Sequence, residues 1–339
     1  MSKVVYFNID DNLDYENGLL KQWDVTDVEL VEIKDKTSGK FTEYLQDADG
    51  LVVEYEQVTR EVMAQCPKLK VVAVQSIGTN NLDKAGATEL GICLANAPGF
   101  CAEEVAVHTV GLAIDLVRKI TFFDKSVRAG KWHPLIGYKT YRMSGLTFGL
   151  VFFGDIPKLM VPILKALNLK VLVYAPTKTK EYLAQFGCEK AETLEELLQT
   201  SDFVSLHCPL IQGVTYHLIG EEQLKLMKPT AFLINTARGS VVDEQALVKA
   251  LKEGWIKGAG IDVIEDEANE ISELFQLNDN VVITPHAAFL SEDSFYAARR
   301  IALEQLVQRL SKQQMPTHLV NQDVAVDFSK NEADRRNLI

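Results

Sequence analysis

The stretch GLVFFGDIPKLMV, Gly149 to Val161, runs from an apolar strand pattern through a single glycine into a helical pattern. A strand, a tight turn and a helix in that order open a doubly wound unit, and the turn is where such units cradle the phosphates of a dinucleotide. Three glycines ordinarily serve it, but here the three positions hold Phe152, Gly154 and Pro157. Proline suits the first turn of a helix, because its missing N–H leaves no bond unmade there. Phe152 is harder to place: a bulky residue at an unusual torsion is strained, and its ring either intrudes on the phosphate path or turns into the core.

Outward from this unit, short β-branched runs alternate with helical patterns along most of the chain, the pattern of parallel sheets with crossover helices. The first third holds VVYFNI (Val4–Ile9), VELVEI (Val28–Ile33), LVVEY (Leu51–Tyr55), VVAVQS (Val71–Ser76) and ICLAN (Ile92–Asn96). A long helical pattern from Cys101 to about Lys119 leads through Gly130 and Trp132 to a second series. That series is LTFGLVFF (Leu146–Phe153), VLVYA (Val171–Ala175), FVSLH (Phe203–His207), AFLIN (Ala231–Asn235), GAGIDV (Gly258–Val263) and VVITPH (Val281–His286). The expected fold is α/β, with two doubly wound domains. The last helix, about Asp293 to Ser311, follows the completed second sheet and is expected to pack back on the first domain. A weakly ordered tail is expected from Gln322.

With 339 residues, 47% of them apolar, the chain is long enough for two cores. A net charge of −12 from 47 acidic and 35 basic residues, without a basic stripe, argues against nucleic acid as a partner. No apolar stretch approaches the ~20 residues of a membrane span, and the opening MSKVVYFNIDD reads as a strand rather than a signal peptide, so a cytoplasmic protein without a membrane partner is expected. The five cysteines Cys66, Cys93, Cys101, Cys188 and Cys208 are scattered without CxxC pairing, which points to reduced thiols and to no metal site.

Three polar residues fall at or beyond strand ends of the second sheet, where open α/β sheets form ligand crevices. Arg238, in LINTARGSVVDE, can grip a carboxylate through two parallel hydrogen bonds or form a surface ion pair. His286 ends VVITPH and alone is an acid–base group or a satisfied core residue; Glu267 follows Glu265 and Asp266 and alone is one more solvated acid. Together they meet a chemical requirement. Reducing a 2-keto acid needs a cation to orient the carboxylate and polarise the carbonyl, and a proton donor for the developing alkoxide. A carboxylate beside the imidazole favours its protonated form. Glu54, Tyr55, Trp132 and Phe289 are expected near the variable end of the substrate.

The motifs INTARGSVVDEQAL (Ile234–Leu247), GAGIDVIEDE (Gly258–Glu267) and VVITPHAAF (Val281–Phe289), in this order, resemble those of the D-isomer-specific 2-hydroxyacid dehydrogenases. The resemblance runs from about Lys3 to Val320 and is strongest to the D-lactate dehydrogenase and C-terminal binding protein branches. It implies two Rossmann-like domains, the first discontinuous: residues 1–104 and 287–321 as the substrate domain, 105–286 as the dinucleotide-binding domain, and 322–339 as the tail. It implies Arg238, Glu267 and His286 as catalytic residues, and the amides of Ile77 and Gly78, in SIGTNNLD (Ser76–Asp83), as ligands of the substrate carboxylate. For the cofactor it implies Gly154, Asp155 and Ile156 at the diphosphate, Cys208 and Pro209 at the ribose and adenine, Thr236 and Ala237 near the nicotinamide ribose, and Asp262 at the carboxamide. A homodimer is the expected assembly.

Three residues conflict with ordinary NAD binding. Phe152 replaces a glycine. Asp155 stands where relatives carry a basic or neutral polar residue, and like charges ~5 Å apart at an effective dielectric of ~20 repel by roughly 3 kcal/mol, most of which an outward rotamer removes. Ala175 replaces the acid that grips the adenosine 2′-hydroxyl, while Lys178 and Lys180 just beyond are either solvated or suited to a 2′-phosphate. The reading is an NAD(P)-dependent D-2-hydroxyacid dehydrogenase interconverting a small 2-keto acid and its 2-hydroxy acid, with NADP slightly preferred over NAD. The alternative is a degenerate dehydrogenase homologue that binds or senses a ligand.

Overall fold

The computed structural model describes residues 1–9, 11–35, 41–54, 56–137, 140–277 and 280–326. The chain divides into two compact units, Met1–Cys101 with Ser291–Ile339, and Ala102–Leu290. Sequence reasoning drew these boundaries at 104/105 and 286/287.

The first unit is built on β1 (Ser2–Phe7), β2 (Val28–Ile33), β3 (Gly50–Val53), β4 (Val71–Val74) and β5 (Cys93–Ala95), all parallel in the order β2-β1-β3-β4-β5. Its strands read as unbroken apolar runs because both sheet faces are covered. Leu51 and Val53 join a cluster with Leu45, Met63 and Leu69 on one face, while Val52 joins Ala302, Leu303 and Leu306 of the Glu292–Leu310 helix on the other. That helix is fastened by Arg299. Its buried guanidinium meets Glu16 Oε2 at 2.5 Å and Asp11 Oδ2 at 2.7 Å and donates to Asn12 O at 2.6 Å. Val324 is buried in the same cluster, so the expected tail is packed at its start; residues 327–339 lie outside the described residues.

The second unit holds β6 (Thr147–Val151), β7 (Lys170–Tyr174), β8 (Glu189–Lys190), β9 (Phe203–Leu206), β10 (Phe232–Asn235), β11 (Gly258–Ile261) and β12 (Val281–Ile283). All pairs are parallel, in the order β12-β11-β10-β9-β6-β7-β8. The winding reverses between β6 and β9, which puts a ligand crevice beyond their carboxyl ends. β8 has only two residues, both charged, and so shows no apolar run. The Ala102–Arg118 helix packs on β10, β11 and β12, and ends at Lys119, whose φ is +56°. A further helix, Ile120–Arg128, buries none of its residues. Among the described residues no helix is long and apolar enough to cross a membrane.

Candidate active site

The turn after β6 keeps the path that glycine would take. Phe152 sits at φ +72°, and its N–H donates to Tyr174 O at 2.7 Å. Its ring packs against the core cluster containing Val151, Leu172 and Leu194, so core contacts offset the strain of the left-handed backbone. Gly154 caps the Asp155–Ala166 helix, and a Cβ added to it meets no atom of the chain within 4 Å. Pro157 is the third helical residue, inside the first turn, where it deprives no intrahelical acceptor. Among the described residues the N–H groups of Asp155 and Ile156 find no acceptor, and with the positive end of the helix dipole they suit an anion. A diphosphate therefore fits this turn.

Of the two orientations open to Asp155, the structure has the outward one. Its side chain is 77% exposed and pairs with Lys158 Nζ at 2.9 Å, so water and a cation both weaken its field at the turn. Ala175 lies 2% exposed at the end of β7, opening a turn closed by Lys178 N–H to Ala175 O at 3.0 Å. Lys178 Nζ stands 5.2 Å from the centroid of the Tyr182 ring, and Lys180 begins the Lys180–Gln185 helix, exposed.

Beyond β9, burial pushes the Cys208 thiol up to about 11, which leaves it an inert wall; Pro209 is exposed, and its carbonyl accepts from Thr215. His207, which the sequence reading passed over, is pushed down to about 3 by burial and is neutral, with Nε2 2.9 Å from Ser205 Oγ. Thr236 is buried. Thr109 gives its hydroxyl proton to Val105 O, so the Thr236 hydroxyl donates inward to Thr109 Oγ1 at 2.9 Å. Only the backbone of Thr236 and the half-buried Ala237 are then left to meet a ribose.

Arg238 is placed by the turn after β10. The Asn235 side chain accepts from Ala237 N–H and donates to Arg238 O, while Arg238 Nη1 donates to Ala237 O at 2.6 Å. Gly239 must follow, because a Cβ there would lie 1.9 Å from Ile264 O. This close approach brings the loop after β10 against the loop after β11, which carries Glu267. Burial raises the Glu267 carboxyl, but the hydrogen bond and charge of His286, the charge of Arg238 and the Ile264 backbone outweigh it and hold the group below its ordinary range. Glu267 Oε2 meets His286 Nδ1 at 2.9 Å. With Nδ1 so engaged, Nε2 is the nitrogen from which the imidazolium can release a proton to a ligand. Phe289 stands edge-on to His286, with ring centroids 6.0 Å apart.

Asp262, expected at a carboxamide, has its carboxylate buried and already accepting from Thr284 Oγ1 and from the N–H groups of Ala287 and Ala288. Trp132 is 86% exposed, and among the described residues no contact joins it to Arg238, Glu267 or His286. Tyr55 lies outside the described residues. In the first unit, Ser76 Oγ donates to Gly78 O and the Asn96 amide to Ile77 O, while among the described residues the N–H groups of Ile77 and Gly78 find no acceptor. Glu54, half-buried, lies on the same unit and its carbonyl accepts from Asn81.

Residues 110–288 match the family model described as D-isomer specific 2-hydroxyacid dehydrogenase, NAD binding domain. The chain belongs to the D-isomer-specific 2-hydroxyacid dehydrogenase family. Among members of this family, the glyoxylate reductase of Thermococcus litoralis is 38% identical over 318 residues, covering 91% of this chain and 95% of that one. The glyoxylate reductase of Pyrococcus furiosus is also 38% identical, over 91% and 93% of the two chains. Among solved structures, the D-lactate dehydrogenase of Aquifex aeolicus complexed with NAD and lactic acid superposes with a TM-score of 0.81 at 27% identity, covering 94% of this chain and 99% of that one. The apo D-lactate dehydrogenase of Escherichia coli gives 0.80 at 28% identity, over 94% and 99%. Glyoxylate reductase names thus accompany the D-lactate dehydrogenase names that the motifs suggested. As a 2-hydroxyacid dehydrogenase the chain is an oxidoreductase that works with a nicotinamide cofactor.

Proposed function

We propose that the chain reduces a small 2-keto acid, of the size of glyoxylate or pyruvate, to the 2-hydroxy acid of D configuration where the product is chiral. The observation that carries this is the His286–Glu267 pair with the Arg238 charge beside it. Arg238 orients the carboxylate and polarises the keto oxygen, and His286 releases its proton to that oxygen while Glu267 stabilises the charged ring. The reduced nicotinamide supplies the hydride when bound. Phe289, against the His286 ring, limits the substituent on the keto carbon. The first unit has a carboxylate grip of its own in the open amides of Ile77 and Gly78.

Gly154, Asp155 and Ile156 hold the diphosphate, Cys208 and Pro209 border the ribose and adenine, and Thr236 and Ala237 the nicotinamide ribose. Asp262 would hold the carboxamide through Oδ2, which accepts one internal bond against two at Oδ1. NADP is preferred over NAD, because Ala175 offers no acceptor to a 2′-hydroxyl while Lys178 and Lys180 flank the place of a 2′-phosphate. Five buried cysteines without CxxC spacing fit a reducing compartment such as the cytoplasm. The exposed apolar residues Ile120, Val127, Leu135 and Ile136 fit a homodimer contact.

The test is titration of the purified protein with NADH and NADPH by nicotinamide fluorescence, followed by turnover on glyoxylate, pyruvate and larger 2-keto acids. Tighter NADPH binding and keto acid reduction are expected. A folded protein that oxidises neither cofactor with any of these acids would overturn the reading.

A further inference from the structure

His286 sits at φ +50°, a backbone conformation that residues other than glycine avoid, so something must hold its turn. Asp262 does so from two sides. Its main-chain carbonyl accepts from His286 N–H at 2.7 Å, and its carboxylate, 1% exposed, accepts from Ala287 N–H at 2.9 Å and Ala288 N–H at 3.0 Å. A third donor to the carboxylate is the Thr284 hydroxyl, 2.5 Å from Oδ1. A hydroxyl has one proton to give, so Thr284 Oγ1 is left to accept, and the atom 2.9 Å away is His108 Nε2. His108 Nε2 therefore carries a hydrogen and donates. The bonds run in one direction, from His108 to Thr284 to Asp262. His108 belongs to the Ala102–Arg118 helix, which packs on β10, β11 and β12.

We propose that His108 and Thr284 are positioning residues, which through Asp262 fix the turn carrying His286 to the long helix and so set the proton donor against Glu267. The inference rests on the reading of His286 as proton donor. Neither residue need touch substrate or cofactor. A small displacement of the imidazole moves the proton off the line to the keto oxygen, and misplacement of a reacting group by about 1 Å costs on the order of a hundredfold in rate.

The test separates the hydrogen bond from the bulk of the side chain. His108→Leu and Thr284→Val remove the chain of donors, whereas His108→Gln keeps a donor where Nε2 lies and Thr284→Ser keeps the hydroxyl. On a keto acid, the Leu and Val variants should lose about 10- to 100-fold in kcat, with KM for the keto acid changed less than about twofold. The Gln and Ser variants should recover to within about threefold, and the Leu–Val double variant should be no slower than either single one, since one chain can be broken only once. In cofactor-free protein, hydrogen exchange at the Ala287 and Ala288 amides should quicken in the Leu and Val variants alone. Unchanged kcat in both, or equal losses in Gln and Leu variants that follow thermal stability, would overturn the positioning role. An inactive parent would instead overturn the function proposed for His286, and unchanged amide exchange would overturn the clamp whatever the activity.

Discussion

Glu267 Oε2 lies 2.9 Å from His286 Nδ1, joining the loops that follow two adjacent strands, β11 and β12. Both side chains are partly open to solvent, so the pair is ordered yet within reach of a ligand.

Stability should report this pair as a function of pH. The Glu267 carboxyl is held below its ordinary 4.5, so its contribution is fully present above that value and is lost as pH falls through the lower, folded value. The difference in urea midpoint between the parent and Glu267→Gln should accordingly be full above the ordinary carboxyl value and shrink as pH falls through the lower, folded one. A difference that grows on acidification would contradict the assignment.

Turnover should separate the roles of Arg238 and His286. His286→Ala should lower kcat by about 10²–10⁴ with little change in KM. Arg238→Ala should raise KM and lower kcat together, and Arg238→Lys should rescue poorly, because an ammonium cannot make two parallel bonds to a carboxylate. Steady-state kinetics on one keto acid decides both.

At Phe152 the usual ranking of alanine over glycine should invert. Either substitution gives up the ring's packing, but only glycine also relieves the strain at φ +72°. Phe152→Gly should therefore be more stable than Phe152→Ala by about 1 kcal/mol in denaturant unfolding. Equal midpoints would mean that the turn relaxes once the ring is gone.

Cofactor choice should respond to two substitutions differently. Asp155→Arg should tighten NADH and NADPH alike, by less than about tenfold, because Lys158 and water already blunt the native charge. Ala175→Asp should raise the NADH to NADPH affinity ratio, and should cost the free protein about 1–3 kcal/mol by placing a carboxylate in a buried position. Fluorescence titration and melting with and without cofactor read both effects.

Arg299 is the site at which the first unit should be most vulnerable. Arg299→Ala leaves Glu16, which is wholly buried, without its partner, and should destabilise by about 3–5 kcal/mol. Arg299→Met combined with Glu16→Leu should recover most of that loss in the same unfolding measurement.

The two sheets were legible in the sequence because strands buried on both faces spell continuous apolar runs, as in Val71–Val74 and Phe203–Leu206. β8 was not, since its two charged residues pair with β7 through backbone alone. The Ile120–Arg128 helix was passed over for a related reason: none of its residues is buried against a core whose position the chain alone reveals. That Arg238, Glu267 and His286 come together was suggested by motif order, and the His286–Glu267 bond with the Arg238 charge nearby agrees with that juxtaposition. The bond from His108 to Thr284 spans 176 positions and depends on a helix lying across strand ends, which no local pattern encodes. For Asp155 both a repelling and an outward side chain stayed open, because its partner Lys158 becomes a neighbour only once the helix forms.

Gly239 bears on how such an enzyme is lost. With Ile264 O only 1.9 Å from where a Cβ would sit, any other residue must push apart the loops that carry Arg238 and Glu267. A single codon change there can disable the site while every residue proposed as catalytic remains in the gene. In descendants of this chain, retention of the arginine, glutamate and histidine is thus a weaker marker of surviving activity than retention of one residue that has no side chain.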